Sequence, residues 1–120
     1  MKLAVVDDDV DVRTAINRLL RALGHEVSLY ASAEEFAVAR PDADCLILDI
    51  RLPGLTGLEL RDRMHSAGDL MPVIFMTGDG DRLLGNAPPP DAHMLYKPFD
   101  EETLRAALAC AVAASSHHER

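Results

Sequence analysis

Leu3-Ala4-Val5-Val6-Asp7-Asp8-Asp9 and Cys45-Leu46-Ile47-Leu48-Asp49 are the two stretches that decide the fold. Each is a short apolar run that stops abruptly in acid. Runs this short, rich in aliphatic residues, form buried strands. If the two strands are parallel neighbours, their carboxyl ends share one edge of a sheet and the carboxylates meet there. That meeting is unfavourable by itself. At about 4 Å and an effective dielectric of about 20, each like-charge pair costs roughly 4 kcal/mol. A bound divalent cation would relieve the repulsion, so these acidic ends point to a site.

Strand and helix patterns alternate outward from these stretches. The first strand covers about Lys2 to Val6. A helix follows from Val10 to Leu23, with Val12, Ala15, Ile16, Leu19, Leu20 and Leu23 at helical spacing and Gly24 as its stop. A second strand spans Glu26 to Tyr30. Ser32 and Glu35 form a capping-box pattern that opens a short helix ending before Pro41. The third strand is Cys45 to Asp49. Thr56 and Glu59 form a second capping box, opening a helix to about His65. The fourth strand runs from Val73 to Met76 and ends at Thr77 and Gly78. The fifth is His93 to Tyr96. Asp100 caps a last helix to about Ala114, with Phe99 and Leu104 spaced as a hydrophobic staple. The polar tail 115–120 is expected to fray. This order predicts an α/β fold: a doubly wound, mainly parallel sheet with helices on both faces, in one domain spanning 1–120 with its core at 2–114. Ligands of such sheets bind beyond the carboxyl ends of the strands.

Composition agrees with a single domain. The chain has 120 residues, 48% of them hydrophobic, enough for a core built of Leu, Val, Ile and Ala. The net charge of −8 argues against binding of nucleic acid or of an anionic membrane surface by this domain. Cys45 and Cys110 both read as small core residues, with no disulfide and no zinc spacing expected. The apolar run at the N-terminus is too short for a signal peptide or a membrane span, so a cytoplasmic location is the default.

The strand ends supply a set of groups with one chemistry in common. Asp7 and Asp8 follow the first strand, Asp49 the third, Thr77 the fourth and Lys97 the fifth. Mg2+ takes oxygen ligands, keeps several waters and is held by one or two carboxylates plus a phosphate oxygen. A further carboxylate can attack phosphorus. The charge spread over the phosphoryl oxygens in the transition state calls for a cation, a lysine and a hydroxyl around them. Asp9 and Asp11 read instead as helix-start residues, where acids suit the helix dipole.

Four motifs in order carry a family resemblance: Val5-Val6-Asp7-Asp8-Asp9; Leu48-Asp49-Ile50-Arg51-Leu52-Pro53-Gly54-Leu55-Thr56-Gly57-Leu58-Glu59-Leu60; Pro72-Val73-Ile74-Phe75-Met76-Thr77-Gly78; and Lys97-Pro98-Phe99. From Lys2 to about Ala114 the chain resembles the receiver domain of two-component response regulators. The resemblance implies a flavodoxin-like, five-stranded sheet of order 2-1-3-4-5. It implies phosphorylation of Asp49 by a histidine kinase or a phosphotransfer protein, with Mg2+ required. Asp8 matches the direct metal ligand, Asp7 its companion, and the backbone carbonyl of Arg51 a third protein ligand. Thr77 matches the switch hydroxyl, Lys97 the lysine that pairs with a phosphoryl oxygen, and Pro98 the proline of an expected cis bond. The resemblance further implies an output partner or DNA-binding domain outside this chain, and a face that can pair as a homodimer on phosphorylation.

Two features depart from the family pattern. Met94 stands where an aromatic residue is usual; either Tyr96, on the same side of the strand, takes over part of its switching role, or the switch is absent. The segment Gly78 to Ala92, with three prolines, leaves the fourth helix short or absent and implies a modified output face. Arg51 and Asp79, each two residues beyond a site residue, are placed to flank the acceptor and set the phosphoryl lifetime. The competing readings are a receiver-like interaction module that needs no phosphate, and a small magnesium-dependent phosphatase or flavodoxin-like cofactor protein. The last lacks support: there is no glycine-rich phosphate loop and no second aspartate two residues beyond Asp49.

Overall fold

The computed structural model describes residues 1–78 and 93–118, with side chains described as far as residue 113. Five strands, β1 (Lys2–Val6), β2 (Glu26–Tyr30), β3 (Cys45–Asp49), β4 (Val73–Thr77) and β5 (His93–Tyr96), form one sheet. All neighbours are parallel and the order is β2-β1-β3-β4-β5. Among the described residues the helices are α1 (Val10–Ala22), α2 (Ala33–Ala39), α3 (Gly57–Ser66) and α4 (Glu101–His118). None is long and apolar enough to cross a membrane.

The apolar runs are continuous because both faces of the sheet are covered. Ala4, Val6, Leu46, Leu48, Val73 and Phe75 point to one face and pack with Phe36 of α2 and Leu60 and Met64 of α3. Their sequence neighbours Leu3, Val5, Cys45, Ile47, Ile74 and Met76 point to the other, against Ile16 and Leu20 of α1 and Leu104 and Leu108 of α4. The twofold alternation of strand side chains divides one apolar run between two cores.

Local signals set the helix ends. Asp9 caps α1 by accepting from the N–H groups of Asp11 and Val12. Thr56 and Glu59 form the full reciprocal capping box at α3. At α2 the Ser32 hydroxyl accepts from the Glu35 N–H, but the Glu35 carboxylate returns to the N–H of Ala31 rather than to that of Ser32. Asp100 accepts from the Thr103 N–H at the start of α4, and Phe99 and Leu104 share one apolar cluster, as a staple requires.

Two expectations change. Helix α4 continues past Ala114 to His118. Cys45 is buried as expected, but Cys110 is exposed. The buried stripe of α4 follows Leu104, Leu108 and Ala111, and Cys110, two positions after Leu108, lies on the opposite side of a helix with 3.6 residues per turn. The fourth-helix expectation for Gly78 to Ala92 falls, beyond Gly78, on residues outside those described.

Candidate functional site

Strand register assembles the site. Val6 pairs with Leu48, Asp49 with Met76, and Thr77 with Tyr96, so β1, β3, β4 and β5 finish at one edge. Asp7 extends β1 by donating its N–H to the Tyr30 carbonyl at 3.1 Å. The Lys97 N–H donates to the Thr77 carbonyl at 2.8 Å, which ties the residue after β5 to the end of β4.

At that edge Asp7 is wholly buried, Asp49 is 6% exposed and Asp8 faces solvent. One carboxylate oxygen from each of the three lies within 4.8 Å of the others. The Lys97 ammonium enters between the two buried acids, donating to Asp7 Oδ2 and to Asp49 Oδ2, each at 3.1 Å. The other oxygen of Asp49, Oδ1, accepts the Arg51 N–H at 2.9 Å, and Asp7 Oδ1 accepts the Asp9 N–H at 2.9 Å.

Three carboxylates face one ammonium, so negative charge is left over. Burial, and then the charge of Asp7, push the Asp49 carboxyl up to about 6, against the pull of Lys97 and the Arg51 N–H. Burial works against the charge of Lys97, but Asp49 and Asp7 outweigh it and hold the ammonium above its ordinary value. Two shielded acids and one open to water form an oxygen donor set that suits a divalent cation retaining part of its hydration.

The remaining expected residues fall around this core. Thr77 is 5% exposed and its hydroxyl donates to the Gly78 carbonyl at 3.3 Å. The Arg51 side chain is exposed while its backbone serves Asp49. Met94 packs against the apolar cluster on the α2 and α3 face, whereas Tyr96, beside Thr77 in register, is 52% exposed. The Lys97-Pro98 bond is cis. Asp79 lies outside the described residues.

Two contributors escaped the sequence reading. Gly57 opens α3 against the end of β3, and a Cβ there would run into the Asp49 carbonyl oxygen. A glycine just after an N-cap threonine, where better helix formers are available, is the signal that marks it. Arg13, near the start of α1, donates Nη1 to the Asp7 carbonyl at 2.6 Å. Nothing in the local sequence separates it from an ordinary surface arginine.

A family model described as the response regulator receiver domain matches residues 3–109. The chain belongs to this receiver family. Receiver domains of this kind are signalling domains of two-component systems. This receiver domain is 39% identical over 114 residues to nodulation protein W of Bradyrhizobium diazoefficiens, with 88% of this chain and 48% of that protein covered. It is 38% identical to the transcriptional regulatory protein FixJ of the same organism, covering 90% of this chain and 55% of that one. The structure of full-length FixJ from B. japonicum superimposes with a TM-score of 0.83 at 33% identity, over 95% of this chain and 58% of that one. The response regulator StyR gives the same TM-score at 32% identity, over 98% of this chain and 62% of that one. The receiver domain thus spans about half the length of the curated relatives it matches.

Proposed function

We propose that Asp49 accepts a phosphoryl group from a histidine kinase or a phosphotransfer protein, and that the modified domain presents an altered surface to an output partner. The observation that carries this reading is the placement of the Lys97 ammonium 3.1 Å from both Asp7 and Asp49, with Asp8 completing the acidic set. Asp7, Asp8, Asp49 and the backbone carbonyl of Arg51 are the groups that would hold Mg2+. Bound there, the ion supplies positive charge to the phosphoryl oxygens.

The chain's own residues account for the rest. An Asp49 carboxylate oxygen forms the new P–O bond while the donor's P–N bond breaks, its electron pair returning to the imidazole nitrogen. The Arg51 N–H orients the acceptor carboxylate, and Lys97 balances charge as it accumulates on the phosphoryl oxygens. Arg13 and the Asp9 N–H fix Asp7 from its carbonyl and its carboxylate. Once Asp49 carries a dianionic group, the Thr77 hydroxyl has a new acceptor, and Tyr96 beside it in register transmits the change to the surface. Attack of water on the acyl phosphate returns the free acid. Arg51, and Asp79 by its place two residues after Thr77 in the sequence, set its rate. Because the curated relatives are about twice as long, an output domain, DNA-binding in a transcriptional regulator, and pairing of two phosphorylated copies belong to the same proposal.

Treatment with acetyl phosphate or beryllofluoride, with and without Mg2+, tests the reading. The wild type gains one phosphoryl group, or binds the mimic, only with the metal, and Asp49→Asn gains none. Failure of the wild type would favour a phosphate-independent interaction module.

A further inference from the structure

The loop that leaves Asp49 is held from a second helix. Between β3 and α3 it closes on itself, the Gly57 N–H donating to the Ile50 carbonyl at 3.2 Å. Leu52 and Leu55 anchor it in the apolar core. Its tip is met from outside by Glu34, in the first turn of α2, whose Oε2 accepts the Leu55 N–H at 3.1 Å. The same oxygen occupies the space of the missing Gly54 side chain, 2.5 Å from where a Cβ would stand, and Gly54 has φ of +74°. Glycine at 54 is therefore needed twice, for its backbone conformation and for the approach of Glu34. A hydrogen bond from Leu55 and the open space over Gly54 bring one exposed carboxylate, 21 residues from Leu55 in sequence, onto a single turn.

From this juxtaposition we infer that Glu34 is a positioning residue for the phosphoryl-transfer site: it pins the loop whose first residues orient the acceptor. The inference rests on the phosphoryl-accepting reading above. The route is short. The Leu55 amide is fixed by Glu34, the loop is closed at Ile50 and Gly57, and within it the Arg51 N–H holds Asp49 Oδ1. The Arg51 carbonyl, the proposed third protein ligand for Mg2+, rides on the same segment. With the pin removed, the segment samples other arrangements, and the site must be ordered at the moment of binding. The Leu55 N–H also contributes most to holding the Glu34 carboxyl below its ordinary value.

Glu34→Ala, Glu34→Gln and Gly54→Ala separate this role from a general effect on folding. Two quantities are read in each variant that melts as the wild type does: amide exchange at Leu55, and the Mg2+ concentration giving half-maximal phosphorylation by acetyl phosphate. Losing one hydrogen bond's worth of order predicts exchange at Leu55 faster, and half-saturation higher, by about fivefold in Glu34→Ala. Gly54→Ala, which displaces the carboxylate, shows the same pair of changes. Glu34→Gln keeps an acceptor oxygen and restores both to near wild type. A wild type that phosphorylates, with Glu34→Ala within the error of it in half-saturation, overturns the inference and leaves the reading intact. A wild type that takes up no phosphoryl group overturns both, and Leu55 exchange then still reports whether the pin exists.

Discussion

Asp49 is a carboxylate kept in a place that resists its charge. Its folded-state value near 6 stands above the ordinary 3.8, so ionising it costs the fold. The sign follows by linkage: the cost is absent below about pH 4, where the acid is protonated in both states, grows between about 4 and 6, and is constant above. In the absence of divalent cations, the stability of Asp49→Asn relative to wild type should therefore rise by on the order of 2 kcal/mol across that window. Denaturant unfolding at pH 4, 5, 6 and 7.5 measures it, and a gap that stays flat or narrows contradicts the assigned environment. The charge that makes Asp49 costly would also serve the proposed phosphoryl transfer, since a partly desolvated carboxylate is a better nucleophile than a hydrated one. Lys97 relieves only part of the repulsion, because it is shared with Asp7.

At the scale of elements, the contact between the end of β3 and the start of α3 sets the backbone around Asp49. Gly57 lets the first turn of α3 lie against the Asp49 backbone, and the Thr56–Glu59 capping box fixes where that turn begins. Gly57→Ala places a methyl group on the Asp49 carbonyl, and backbone has little room to yield. The expected result is a loss of about 2 kcal/mol or more of stability, the range of overpacked or strained positions, together with slower phosphorylation. Thermal melts and acetyl phosphate kinetics on the same variant check both. A change of similar size on an exposed helix start would cost far less, since alanine is the better helix former. Had only intrinsic propensity mattered, Gly57→Ala would stabilise; a higher melting temperature would show that α3 can move aside.

The whole molecule couples the site to its stability. Two apolar cores, one on each face of the sheet, hold four strand ends in register, and the three acids at that edge keep excess negative charge beside the single Lys97 ammonium. Added Mg2+ should stabilise the fold by RT ln(1 + [L]/Kd), about 2.7 kcal/mol at a hundredfold excess over Kd. The melting temperature should rise with Mg2+, and Asp8→Ala, at the solvent-facing member of the set, should flatten the response. A wild-type melt independent of Mg2+ would remove the metal from the proposal. On the proposed reading, phosphorylation would act at an edge shared by β1, β3, β4 and β5, so a change at Asp49 would reach Thr77 and Tyr96 through adjacent strands rather than through a loop.

Much of this was legible in the chain itself. The apolar runs with acid at their ends, the glycine and proline stops, and the capping pairs at 56 and 59 are local signals, and local backbone chemistry is what makes strands and helix ends. They determined five strands, the two-sided burial of the central three and the edge at which Asp7, Asp8, Asp49, Thr77 and Lys97 would gather. Only the tertiary structure decided that Asp7 is sealed while Asp8 is open, that Lys97 bridges acids 90 and 48 residues away, that Gly57 must lack a side chain, that Glu34 reaches the acceptor loop and that Cys110 faces out. These depend on register and packing between segments far apart in the chain, where hydrophobic periodicity shows that a face is buried but not which atoms from the other segment will meet it.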